Sequence, residues 1–99
     1  MTRDEWLAKA SELFGNDMMK WSFVCPSCGH VASVQDYKNA GAPSSAIAFS
    51  CVGRWMDEKH EAFQKGKGPC NYSGGGLFAI NPVEVDGDRY FDFAPPSEQ

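Results

Sequence analysis

Four cysteines constrain this chain more than anything else in it: two lie close together in "CPSCGH", at positions 25 and 28, and two stand apart, at 51 and 70. A chain of 99 residues is in the size range where a hydrophobic core alone is often marginal, so a covalent or metal staple is expected. Two residues between Cys25 and Cys28 let both sulfurs converge on one ion at about 2.3 Å, the spacing of a zinc knuckle. Pro26 stiffens that turn, and Gly29 is free to take a positive φ after the second ligand. Cys51 reads as the end of a strand, and Cys70 sits in "GKGPCNYSGGG", where glycines permit a tight bend. The pair therefore reads as the mouth of a second knuckle opened by an inserted loop, eighteen residues lying between its two cysteines. The expectation is one tetrahedral site holding one structural Zn2+ through Cys25, Cys28, Cys51 and Cys70. Weighed against it are a redox-active CxxC, disulfides in any of three connectivities, and a mixed site in which His30 or His60 replaces a thiolate. No βαβ pattern surrounds "CPSC", His30 would crowd Cys28, and His60 reads as an exposed helix residue.

Compartment bears on that choice. The longest apolar run is only a few residues, and "MTRDEWLAKASELFG" carries charges at 3, 4, 5, 9 and 12, so neither a signal peptide nor a membrane span is read. A reducing cytosol is expected, where free thiols persist and clustered cysteines read first as metal ligands. Residues 1–80 hold eight Lys/Arg and eight Asp/Glu; the remaining five acids against Arg89 give the net charge of −4. A nucleic-acid binder ordinarily carries a basic patch, and none is visible at whole-chain level.

Thr2 and Glu5 have capping-box spacing, and Trp6, Leu7, Ala10, Leu13 and Phe14 recur at helical period until Gly15, which predicts a helix over 3–14. "KWSFVC" predicts a strand into the first knuckle. Ser33 and Asp36 repeat the capping box and predict a short helix over 34–40, ending before Gly41. "AIAFSC" reads as a strand into Cys51, "DEKHEAFQKG" as a helix within the insert, and residues 77–80 as a strand. "VEVDGDRYFDF" reads as a hairpin turning at Asp86-Gly87, and residues 95–99 as a flexible tail. The fold class is small α+β: a zinc-ribbon-like antiparallel sheet with an N-terminal helix and a helical insert between the third and fourth Cys, in one domain over 1–94.

The segments "WSFVCPSCGHVASVQDYKNAG", "CVGR" and "GPCNYSGGGLFAINPV", in that order, resemble a family of small, uncharacterised bacteriophage and prophage proteins with a CPxCGH…CxGR…C…GLF signature. That resemblance implies a viral or prophage accessory protein in the cytoplasm of a bacterial host cell, with Cys25, Cys28, Cys51 and Cys70 as its presumed metal ligands.

Four thiolates leave no open position for substrate or water, so metal catalysis is not expected. No Ser/His/Asp set or phosphate-cradling loop is present either; "SGGGLF" lacks the Lys-Ser/Thr of a P-loop. Function is thus expected on surfaces. Trp55, Met56 and Phe63 share part of one face of the expected insert helix, although that face also suits packing on the N-terminal helix. Asp86, Asp88, Tyr90 and Asp92 give the C-terminal hairpin an acidic, aromatic edge that suits a basic protein surface. Trp21, Phe23 and Tyr72 are of the type that stacks on bases, but they read first as core. The expected function is a non-enzymatic module binding a host or phage protein, with antagonism of a nucleic-acid-processing or defence complex as one form of it. The alternatives are a zinc-ribbon nucleic-acid binder using Arg54, Lys59, Lys65 and Lys67, and a thiol redox protein.

Overall fold

The computed structural model describes residues 1–57, 59, 61–62, 68–75 and 79–95. Helix α1 runs Arg3–Phe14, and its first turn is closed by the capping box read from the sequence: Thr2 accepts from the Glu5 N–H while the Glu5 carboxylate accepts from the Thr2 N–H. Its inward face places Ala10 in the core and packs Trp6, Leu7, Leu13 and Phe14 against it. Gly15, at φ 83°, ends the helix with its N–H on the Ser11 carbonyl. A side chain there would be strained, which is why a glycine closes this helix.

Strand β1 (Ser22–Val24) and strand β2 (Val31–Ser33) pair antiparallel, with Phe23 opposite Ala32. The first cysteine knuckle is the loop between them. Ser33 ends β2 and caps helix α2 (Val34–Asn39) in a second capping box, with Asp36 as its reciprocal partner. Tyr37 on α2 points inward and donates its buried hydroxyl to the Ser50 carbonyl at 2.7 Å.

Strands β3 (Val83–Val85) and β4 (Asp88–Tyr90) form the expected hairpin. Asp86 and Gly87 turn it with φ of 49° and 93°, the double positive φ of a type I′ turn, whose twist matches that of its strands. A short strand β5 (Asp92–Phe93) then pairs antiparallel with β1, giving sheet order β2-β1-β5. The N-terminus is strapped to the hairpin: the Asp86 N–H donates to the Met1 carbonyl, and the Arg3 N–H donates to the Asp86 carboxylate at 2.9 Å.

Aromatic rings fill the space between α1 and the sheet. Trp6 stacks on Phe23 at 5.9 Å between centroids and packs against Trp21, Tyr90 and Phe93. Such pairs contribute roughly 0.5–1.5 kcal/mol beyond their burial.

The strand expected over "AIAFSC" does not form. Residues 44–46 make a 3-10 turn, and the N–H groups of Phe49 and Ser50 both return to the Ala46 carbonyl. Ala48 has φ 60°, and its carbonyl accepts from the Phe91 N–H. Alanines carry too little β preference to hold an extended run against these local bonds. A 3-10 turn over Val52–Trp55 follows Cys51. Of the helix expected over "DEKHEAFQKG", residues 57, 59, 61 and 62 are described and are not helical; His60, Phe63 and the rest lie outside the described residues. So do Leu77 and Phe78 of the expected 77–80 strand, whose Ala79 and Ile80 are not in a strand, and residues 96–99 of the expected tail.

Candidate metal centre

The sequence places the four cysteines on two separate supports, and the fold brings their sulfurs together. Cys25 and Cys28 stand at the end of the β1–β2 hairpin. Cys51 follows the irregular 44–50 segment, and Cys70 returns from the excursion after it. The four Sγ atoms lie within 4.8 Å of one another, with Cys25–Cys70 at 3.9 Å and Cys28–Cys51 at 3.8 Å. Four sulfurs arranged tetrahedrally at about 2.3 Å from one ion sit about 3.8 Å apart, so this donor set fits a single tetrahedral cation. The sulfurs are too far apart for disulfides, whose S–S bond is about 2.05 Å, and all four thiols are free. Among the described residues no histidine joins the group; His60 lies outside them.

The two halves obey one hydrogen-bonding pattern. In the first, the Cys25 N–H donates to the His30 carbonyl at 3.0 Å, and the His30 N–H donates to Cys28 Sγ at 3.4 Å. In the second, the Cys51 N–H donates to the Tyr72 carbonyl at 3.0 Å, and the Tyr72 N–H donates to Cys70 Sγ at 3.4 Å. The N–H groups of Ser27 and Cys28 support the Cys25 sulfur as those of Gly53 and Cys70 support Cys51. The Cys70 N–H reaches Cys51 Sγ at 3.4 Å. A knuckle that occupies six consecutive residues in one half is thus completed in the other by two short pieces, 51–53 and 69–72. The opened second knuckle read from the sequence is what the chain builds.

Gly53 makes that closure possible. A Cβ at Gly53 would overlap the Cys70 carbonyl oxygen and crowd Pro69, so the two pieces meet at a distance only glycine allows. Gly29, at φ 75°, supplies the corresponding turn after Cys28. Arg54 and Asn71 tie the base of the excursion: Arg54 Nη1 donates to the Asn71 carbonyl at 3.0 Å, and the Asn71 side chain accepts from the Ala62 N–H at 2.7 Å.

Burial and hydrogen bonding divide the protons unevenly. The neighbouring Cys25 thiol, and then the backbone N–H groups of Gly53 and Cys70, outweigh burial and hold the Cys51 thiol below its ordinary range. Cys25, set beside Cys51 and itself buried, is pushed far up. Cys28 is pushed up to about 11, chiefly by burial. A divalent ion is the ordinary means of ionising such a set together, because a coordinated thiol is deprotonated outright. Cys25, Cys51 and Cys70 belong to the hydrophobic core.

The residues expected to meet a partner are dispersed. Trp55 is half-buried and Met56 exposed, and they line a groove with α2 and the first knuckle, not the N-terminal helix. Asp86 is engaged by the Arg3 N–H. Asp88 and Asp92 are exposed, while Tyr90 packs its ring on Trp6 and Phe49. Trp21, Phe23 and Tyr72 are core residues, 5%, 1% and 1% exposed, which removes them as a stacking platform. A buried hub went unread in the sequence: Asn81 donates to the carbonyls of Phe49 and Arg89 and accepts from the Tyr72 hydroxyl. "INPV" gave no sign of it, since an asparagine before proline reads as a turn.

The fold and site define a small α+β domain with a zinc-ribbon-like four-cysteine centre placed to hold one metal ion. Over residues 2–94 the chain matches the family model described as VVA0879-like, and it belongs to that family. No curated protein and no solved structure matches it. Among the described residues no helix is long and apolar enough to cross a membrane.

Proposed function

We propose that this protein is a non-enzymatic module in which one zinc ion holds the fold and a surface binds a protein of the host or of a phage. The observation that carries the first half is the closed set of four sulfurs, three of them buried, each at tetrahedral separation from a neighbour. Cys25, Cys28, Cys51 and Cys70 would hold the metal, which when bound supplies charge neutralisation and crosslinking. Such a structural zinc contributes about 10–16 kcal/mol of apparent binding energy in zinc-finger peptides at neutral pH. It ties the β1–β2 hairpin to the 44–52 segment and the returning chain at 69–72, which share little regular structure.

The protein-binding half rests on the acidic balance of the chain, −4 overall, and on the resemblance to phage and prophage proteins. A cytoplasmic role as an antagonist of a host nucleic-acid-processing or defence complex fits both. Affinity purification from infected cells followed by mass spectrometry tests it: a stoichiometric protein partner is expected, and nucleic acid alone would refute it. The nucleic-acid reading has less support. Arg54 is committed to the Asn71 carbonyl and Lys59 Nζ to the Met56 carbonyl, while Lys65 and Lys67 lie outside the described residues. A redox role is weakened because Cys25 and Cys28 share one cluster with two further thiols.

A further inference from the structure

The metal centre leaves unused the groove beside it, a cavity of about 580 Å³ between α2, the first knuckle and the segment leaving Cys51. Its apolar surface comes from Val31, Trp55 and Met56 over the buried Val52, and its polar rim carries His30, Asn39 and the carboxylates of Asp36 and Asp57. No lysine or arginine lines it among the described residues. Of the cations on the segment after Cys51, Arg54 donates to the Asn71 carbonyl and lies 5.9 Å from the Trp55 ring, and Lys59 donates to the Met56 carbonyl. One oxygen of Asp36 caps α2 by accepting from the Ser33 N–H. Asp57 is exposed.

We propose that this groove docks a basic, amphipathic segment of a partner protein. The inference rests on the protein-binding reading above and supplies its surface and its chemistry. An arginine or lysine has the form the groove asks for: an apolar stem to lie on Val31 and Met56, and a cation to meet the carboxylates at the rim. Trp55 is the anchor, because half-buried aromatics in pockets carry a disproportionate share of binding energy. A nucleic-acid backbone is repelled by the same two carboxylates. The wall formed by Trp55, Met56 and Asp57 directly follows Cys51 and Gly53, so the four-sulfur centre sets its position against α2.

The test uses the zinc-loaded full chain and two fluorescein-labelled peptides, one alternating leucine with arginine, the other carrying glutamate in place of arginine. Fluorescence anisotropy is expected to show binding of the arginine peptide at least about ten-fold tighter than the glutamate peptide. Asp57→Lys, at an exposed position, should weaken the arginine peptide by about ten-fold, and Trp55→Ala by at least as much. Amide shifts on binding should fall on residues 30–40 and 52–57. Equal affinity for both peptides, insensitivity to Asp57→Lys, or shifts confined to the 83–93 hairpin would each overturn the groove assignment. A partner captured from infected cells whose affinity is unchanged by Asp57→Lys and Trp55→Ala would do the same while leaving the protein-binding reading standing.

Discussion

Substituting Gly53 by alanine tests the closure of the split knuckle. The backbone at Gly53 is not in the left-handed region, so in isolation an alanine there would reduce unfolded-chain entropy and stabilise by about 0.4–1 kcal/mol. The fold reverses that sign. The new methyl would overlap the Cys70 carbonyl oxygen and press on Pro69 and the Cys70 nitrogen, two of these being backbone atoms with no rotamer to yield. Relief requires the 69–70 piece to withdraw, and the Cys70 N–H then leaves Cys51 Sγ, from which it now stands 3.4 Å. Overpacking costs about 1–3 kcal/mol, and a lost hydrogen bond to a charged sulfur about 1.5–3 kcal/mol. After the entropic offset, a net loss of about 2–5 kcal/mol remains. Because the displaced residue is one of the four proposed ligands, the loss should appear in zinc affinity, as a weakening of about 30-fold or more in competition with a chromophoric chelator. Gly75→Ala is the control, since a Cβ there meets only Phe49 ring atoms and the Ser73 hydroxyl at 3.8 Å or more. Zinc affinity and melting temperature unchanged in Gly53→Ala would refute the close meeting of the two pieces.

Other substitutions probe the supports of the centre. Tyr37→Phe removes the hydroxyl from a buried carbonyl and should cost about 1–2 kcal/mol in urea unfolding, with zinc content unchanged. Asn81→Ala takes a donor from the Phe49 and Arg89 carbonyls and an acceptor from the Tyr72 hydroxyl and should cost more, about 2–4 kcal/mol by the same measurement. Cys51→Ser should lose both metal and the dispersed NMR spectrum; full metal retention would contradict its assignment as a ligand. The Glu5 carboxyl is held below its usual range, first by the Thr2 N–H and then by the Thr2 hydroxyl. A depressed native value means that its stabilisation is fully present above the ordinary carboxylate range and lost as pH falls through the native value. The melting temperatures of wild type and Glu5→Gln should therefore converge on acidification, and a gap that widens would reverse the sign.

Features encoded in a few adjacent residues were legible in the sequence. Both capping boxes formed where Thr2/Glu5 and Ser33/Asp36 placed them, and Asp86-Gly87 made its turn, because each depends on bonds between near neighbours. The convergence of the four cysteines was legible for a different reason: cysteine has few roles in a small domain, and metal-ligand spacing survives an insertion that leaves both ends intact. What sequence could not carry was tertiary choice. Ala46 and Ala48 alternate like a strand, yet the carbonyl of Ala48 is claimed by the Phe91 N–H, far along the chain. β5 is too short to announce itself and exists because Phe93 fits opposite Phe23. Trp55 and Met56 faced α2 because the split knuckle aims the chain there, a direction set by Gly53 and Cys70 together.

X-ray absorption at the zinc edge, on protein purified without added chelator and quantified for metal, bears most directly on the four-sulfur centre. One zinc per chain with four sulfur neighbours at about 2.3 Å is expected. A nitrogen or oxygen in that shell, iron in place of zinc, or a folded chain carrying no metal would contradict the account.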